Sequence, residues 1–301
     1  MAEPLPRPMP RRITLLAGAH KTASSHLQQS LMEAEARLRP HGIALVPPKT
    51  MRRDLAPLWQ LLRDGTSPEI LRAAAEGFLQ LHGGESRHLV LMDENALGST
   101  DAKMLFKKRR LYPWAHHRLG WLMALFDGHD LEIAMAVRHP ATFLPSCWSE
   151  SLHHGPYQSF RAYIDTARPA RLRWSELVAR LHEQIPQAGL RLWAYEDYAA
   201  LGPALFAHLL GPEAAGEVHP VERVMRPGIS AEAVAWLERL PTPTKDDMLE
   251  ARKRFPKSGP AEAFDPWSPE EHTALDAAYR EDLADLGREL HIRLLRPRTN
   301  A

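Results

Sequence analysis

The chain has 301 residues, 44% apolar and 25% charged, which excludes wholesale disorder and suits one large α/β domain with a sizeable core. Lys plus Arg number 38 against 37 Asp plus Glu, a net +1 that gives no global push toward nucleic acid. No stretch approaches the roughly 18 apolar residues of a membrane span, and the single cysteine, Cys147, excludes an intrachain disulfide and a cysteine-built zinc site.

Residues 1–12, with Pro4, Pro6, Pro8 and Pro10 before Arg11-Arg12, read as a disordered lead-in. The apolar stretch that follows is too short for a signal peptide and runs at once into His20-Lys21. It reads instead as a buried strand over 13–17. Further apolar strands are predicted at 43–46, 88–92, 131–137 and 190–194. Between them the periodicity predicts helices at 22–38, 54–63, 68–82, 101–110, 113–127, 140–152 and 172–184. Strands spaced by helices imply a parallel sheet in a three-layer α/β fold, with helices on both faces. The last hundred residues carry no convincing strand. They hold helical patterns at 203–210, 230–239, 245–254 and 269–290, with proline joints at Pro241, Pro243, Pro256 and Pro260. The expected organisation is one domain over 13–301, an α/β core at 13–200 and a helical cap at 201–301.

Two constellations carry chemistry. In the first, a strand ends at Ala17-Gly18 and a helix opens near Ser24, with Lys21, Thr22, Ser24 and Ser25 in the turn. Small residues let backbone N–H groups approach a ligand, the helix N-terminus adds partial positive charge, and Lys21 adds a full one: a cradle for phosphate or sulfate. Read as structure alone, 22–25 is a helix cap. The nucleoside-triphosphate motif G-x-x-x-x-G-K-[ST] is incomplete, because residue 20 is His. In the second, Arg138 ends strand 131–137, where ligands bind in open α/β sheets, and Ser146 follows two helical turns later. A guanidinium there grips a phosphate with two bonds. The structural alternative is a surface pair between Arg138 and Glu150.

Two anion sites at two strand ends, without a good triphosphate motif, suit a nucleotide phosphorylated at both ends of its sugar. Here the chain resembles the sulfotransferases that use 3′-phosphoadenosine 5′-phosphosulfate (PAPS), the bacterial branch more than the animal cytosolic one. The x-K-[ST]-G-[ST]-[ST] motif of that family reads His20-Lys21-Thr22-Ala23-Ser24-Ser25, and its R-x7-S reads Arg138 to Ser146. Tyr195-Glu196-Asp197 matches its tyrosine-acidic-acidic tripeptide, and Leu275–Leu286, with Tyr279 and Asp282, looks like its closing helix. Two departures stand out. Ala23 replaces the loop glycine, which narrows the available backbone angles, and Lys257-Ser258-Gly259 is only a loose substitute for the family's closing loop.

The resemblance implies a P-loop-NTPase-like sulfotransferase fold and transfer of a sulfuryl group to a hydroxyl or amine of a small-molecule or glycan acceptor. Lys21, Thr22, Ala23, Ser24, Ser25, Arg138, Ser146 and Tyr195 would then bind the nucleotide, with His26 against adenine. Lys21 would stabilise the leaving phosphate, and no metal would be required. Glu94, then Asp93 and His20, are the candidate general bases; a helix cap is the structural alternative for the Asp93-Glu94 turn. A cytoplasmic location, no nucleic-acid partner and no membrane span complete this expectation. Retained nucleotide binding without turnover is one alternative, and a nucleotide kinase or NTPase is another.

The sixteen histidines form no metal motif: His116-His117 and His153-His154 are adjacent pairs expected to diverge, and H-E-x-x-H is absent. Lys103, Lys107, Lys108, Arg109 and Arg110, near His116 to Arg118, suit an anionic acceptor or a solvated helix face. Trp114, Trp121, Trp148 and Tyr157 suit sugar stacking or, more plainly, the core. Cys147 lacks an activator of its own apart from Arg138 and is not read as a nucleophile.

Overall fold

The computed structural model describes residues 11–107, 110–222, 228–257, 262–289 and 292–297. Most of the predicted lead-in, Lys108 and Arg109 of the basic run, and Ser258-Gly259 of the loose closing loop lie outside the described residues.

The elements run β1 (Arg12–Gly18), α1 (Ser24–Glu33), α2 (Glu35–Leu38), β2 (Ile43–Val46), α3 (Pro48–Arg63), α4 (Pro68–Gly83), β3 (His88–Met92), α5 (Ala102–Leu105), β4 (Phe106–Lys107), β5 (Arg110–Leu111), α6 (Ala115–Leu125) and β6 (Asp130–Val137). They continue with α7 (Pro140–Ser151), α8 (Phe160–Ile164), α9 (Trp174–Gln184), β7 (Gly189–Ala194), α10 (Tyr198–Leu201), α11 (Pro203–Leu210), α12 (Pro212–Ala215), α13 (Ala231–Leu237), α14 (Lys245–Arg254), α15 (Pro269–Leu286) and β8 (Ile292–Leu295).

Six strands form one parallel sheet in the order β2-β3-β1-β6-β7-β8. Its inner strands are apolar on both faces, as a sheet covered on both sides requires. Successive residues of β1 serve opposite layers. Ile13, Leu15 and Ala17 join a core with Leu55, Phe78, Leu122, Phe143 and Leu177. Leu16 joins a second core with Leu27, Leu31, Phe206 and Leu209. This alternation is the pleat read out as two cores, one above and one below the sheet.

The predicted strands all occur. Three expectations need correction. Arg11 and Arg12 are ordered, not lead-in: the Arg11 backbone N–H donates to His129 Nδ1 at 3.1 Å, and Arg12 opens β1. The helix over 101–110 stops at Leu105, where Phe106 turns extended (φ −149°, ψ 144°) and pairs with Leu111 in a short antiparallel hairpin. The C-terminal part contains a strand: β8 pairs with β7, Leu190 opposite Ile292 and Trp193 opposite Leu295. It is an edge strand with Arg293 exposed, so it carries no continuous apolar run to betray it.

The amino edge of the sheet is tied by charge. Glu132 accepts from Arg12 Nε at 2.6 Å, Arg191 Nε at 2.7 Å and the Thr14 hydroxyl at 3.1 Å. His88 Nε2 lies 2.8 Å from Thr14 Oγ1; since that hydroxyl donates to Glu132, His88 is the donor. Burial, with Arg12 and Arg191 nearby, pushes His88 down to about 3.

Candidate functional site

Because the strands are parallel, the ends of β1, β3, β6 and β7 lie along one carboxyl edge, the place where open α/β sheets bind ligands. Every candidate site residue is on or near this edge. The β1 end turns at Gly18 (φ +107°), where an added Cβ would sit 3.4 Å from both Glu94 Cα and Cβ. Lys21 (φ 58°) and Ala23 (φ 61°) are left-handed, a conformation that favours glycine. Ala23 is the N-cap of α1 and gives no side-chain cap, so the first-turn N–H groups are left without one. Ser24 and Ser25 are half-buried in that turn. Thr22 is not one of the open hydroxyls: it is buried and donates to Ala19 O at 2.7 Å, bracing the loop from inside.

His20 is wedged behind the loop. Its Nδ1 lies 2.8 Å from Tyr112 Oη, its Nε2 3.0 Å from Asn95 Oδ1, and its backbone N–H donates to Tyr112 Oη at 3.1 Å. The Nε2–H tautomer satisfies all three contacts. Burial lowers its pKa against the pull of Asn95 and nearby carboxylates. His20 is therefore a neutral structural wedge with both ring nitrogens engaged, which argues against it as a free base. His26 is similarly engaged, between Tyr198 Oη at 2.8 Å and Val221 O at 2.6 Å, and so ties α1 to α10 and residue 221.

At the β3 end, Asp93 takes the structural alternative. It accepts from Arg52 Nε at 2.8 Å and caps the Asn95 N–H at 3.0 Å. Glu94 accepts from Gln28 Nε2 at 3.0 Å and Arg52 Nη2 at 3.3 Å. Burial alone would push the Glu94 carboxyl up; hydrogen bonds from Gln28 and its own backbone N–H, with the Arg52 charge, together hold it below the usual carboxylate range.

At the β6 end, Arg138 stacks on the Tyr195 ring (4.3 Å from guanidinium carbon to centroid) and donates to Thr142 Oγ1 at 3.0 Å and to the Lys21 carbonyl. The expected alternative pair with Glu150 does not form. Glu150 faces Lys21 Nζ at 3.0 Å instead. No carboxylate lies within 4.0 Å of Arg138 among the described residues, and burial lowers its pKa. Ser146 is half-buried on α7, whose first turn begins two residues after Arg138.

The tripeptide after β7 acts as a clamp. Glu196 Oε1 accepts the His139 backbone N–H at 2.8 Å, and Glu196 Oε2 accepts the Tyr279 hydroxyl at 2.8 Å. Asp282, on the same helix as Tyr279, accepts the N–H groups of Trp174 (2.6 Å) and Ser175 (3.0 Å) at the start of α9. α15 thus anchors two helices beside Arg138.

Cys147 is buried and pushed up to about 12 by that burial, so it is an inert thiol. Trp148 is a core residue, whereas Trp114 (43% exposed) and Trp121 (50% exposed) are not. Lys103, Lys107 and Arg110 are exposed, and Lys107 lies over the Trp114 ring at 5.0 Å. The His116 and His117 rings do not diverge; their centroids are 4.0 Å apart. Among the described residues, no group of three or more His, Cys, Asp or Glu is placed to hold a metal ion, and no helix is long and apolar enough to cross a membrane. A cavity of about 450 Å³ lies at the opposite, amino edge, lined by Arg12, Glu132, Arg191 and Arg293 among others.

Sequence reasoning missed Glu150 as the partner of Lys21, and missed Arg52, Gln28 and Tyr112 as the groups that occupy Asp93, Glu94 and His20. Each contact joins residues 41 to 129 positions apart, beyond any local signal.

No protein-family model matches the chain, and no curated protein sequence does. Among solved structures, a sulfotransferase from Alicyclobacillus acidocaldarius aligns over 83% of this chain and 98% of that one, at 15% identity and a TM-score of 0.40. A structure from the PezAT chromosomal toxin-antitoxin system of Streptococcus pneumoniae aligns over 94% of this chain and 89% of that one, at 10% identity and a TM-score of 0.25. Likeness of this degree carries no weight for the chemistry, which rests on the site itself.

Proposed function

We propose that the carboxyl-edge site binds PAPS and transfers its sulfuryl group to a hydroxyl or amine of a small-molecule or glycan acceptor, in the cytoplasm. The observation that carries this reading is the pairing of two cationic centres on adjacent strand ends. Arg138 donates to the Lys21 carbonyl, and among the described residues no carboxylate forms an ion pair with its guanidinium; Glu196 acts on it only from farther off. A desolvated arginine without a close carboxylate is costly unless an anion meets it.

The residues present fit such a donor. The uncapped first turn of α1 and Lys21 suit the 5′-phosphosulfate, and Arg138, backed by the Tyr195 ring, suits the 3′-phosphate with Ser146 nearby. When bound, the donor supplies the sulfuryl group. Lys21 neutralises charge that develops on the leaving side, and the α1 dipoles add to it without reorganising. Of the three candidate bases, Glu94 fits best: its lowered pKa keeps it ionised at neutral pH, while Asp93 serves as a cap and His20 as a wedge.

Isothermal titration with adenosine 3′,5′-bisphosphate tests the reading. Binding that weakens when the 3′-phosphate is removed supports it; no binding to the folded protein overturns it. Lys21→Ala should abolish transfer with a smaller loss of nucleotide binding. A second reading, nucleotide binding without turnover, is favoured by the left-handed Ala23. Bound nucleotide with no sulfate transferred from radiolabelled donor across a broad acceptor panel would support it.

A further inference from the structure

Lys21 Nζ and Glu150 Oε2 are 3.0 Å apart, with only 13% and 19% of the two side chains exposed. We propose that Glu150 is a built-in anion that occupies Lys21 and is displaced from it by the sulfate or phosphate group of an incoming ligand. The identity of that ligand rests on the nucleotide reading above; the exchange itself does not.

Three observations support the exchange. First, a lysine–carboxylate pair at this degree of burial gains Coulomb energy but loses hydration on both sides, so replacing one anion by another is nearly balanced. Second, two guanidiniums lie near the two ends of α7. Arg138 precedes α7, and at the other end Arg252 Nη2 donates to the carbonyl (2.7 Å) and hydroxyl (2.9 Å) of Ser149, the neighbour of Glu150. Among the described residues neither guanidinium forms an ion pair; Glu196 acts on Arg138 and Glu150 itself on Arg252 from farther off. One carboxylate among these cations is outmatched by a ligand group with two or more negative charges. Third, Glu150, in the last turn of α7, meets the ammonium of a long, flexible lysine, and that ammonium can swing from the carboxylate to a ligand.

The test is calorimetric titration of the full chain and of Glu150→Gln with inorganic pyrophosphate and with adenosine 3′,5′-bisphosphate, at one salt concentration. Removing the resident charge should tighten pyrophosphate binding about tenfold, a coupling of ordinary size between two ligands of one site. Glu150→Ala should shift affinity in the same direction, since it also removes any residual amide contact with Lys21. Equal or weaker pyrophosphate binding by both variants overturns the proposal, as does a lack of pyrophosphate binding by all three proteins. A purely structural pair would lower the melting temperature and leave affinity unimproved. In the wild type, carbodiimide labelling of Glu150, read by peptide mass spectrometry, should rise several-fold on adding pyrophosphate; unchanged labelling also overturns it. Tighter pyrophosphate binding with no bisphosphate binding keeps the exchange and removes the nucleotide reading. Bisphosphate binding with pyrophosphate affinity unchanged in the variants does the reverse.

Discussion

The hydroxyl of Tyr279 donates to Glu196 Oε2 at 2.8 Å, while the other oxygen of the same carboxylate holds the His139 backbone N–H at 2.8 Å. A helix near the C-terminus is thereby fastened to the residue that follows Arg138. Tyr279 also packs edge-on against the His139 ring, 4.8 Å between centroids. Tyr279→Phe should keep this packing and lose one hydrogen bond to a charged acceptor, costing about 1 kcal/mol because Glu196 is exposed and can rehydrate. Urea denaturation measures the loss, and an unchanged midpoint would show that the clamp contributes nothing.

Ala23 sits at φ 61°, ψ 20°. A Cβ in this region costs roughly 1–2 kcal/mol, of which a glycine recovers part after its larger unfolded-state entropy is counted. Ala23→Gly should therefore stabilise the protein by about 0.5–1 kcal/mol and raise the melting temperature by roughly 1–3 °C. A lower melting temperature would mean that the methyl group makes contacts worth more than its strain.

Arg138→Ala should weaken adenosine 3′,5′-bisphosphate by roughly 2–5 kcal/mol, the range for truncating one partner of a buried charge pair. Binding of adenosine 5′-monophosphate should change far less. Equal losses for the two nucleotides would place Arg138 away from the 3′-phosphate.

Acid should destabilise the fold through its amino edge. His88 is buried neutral with its pKa pushed down to about 3, while the unfolded chain takes up that proton near pH 6.5. Its contribution is therefore complete above pH 6.5 and is lost as pH falls from there toward 3, on the order of 4–5 kcal/mol in all. Glu132 acts in the same direction. Burial would raise its pKa, but hydrogen bonds and charge from Arg191 and Arg12 lower it on balance. Its contribution is present above the ordinary glutamate pKa and is lost below it. Urea midpoints measured between pH 7 and 4 should fall steadily, and His88→Gln should flatten the upper part of that fall.

The sequence by itself determined five of the six sheet strands and most helices, because strands buried on both faces must be continuously apolar and amphipathic helices repeat every three to four residues. It also placed Lys21 and Arg138 at strand ends, since the strand limits are visible locally. It did not reveal β8, whose short, part-charged sequence becomes a strand only because β7 offers an open edge. Nor did it show that Glu150 faces Lys21 rather than Arg138, that Arg52 occupies Asp93, or that Tyr112 and Asn95 occupy both nitrogens of His20. Those contacts join elements distant in the chain, and only the packing of the layers decides which charged tips meet. Composition reports a net charge of +1; the tertiary structure decides that Lys21 meets the carboxylate of Glu150 while, among the described residues, Arg138 stacks on Tyr195 and forms no ion pair.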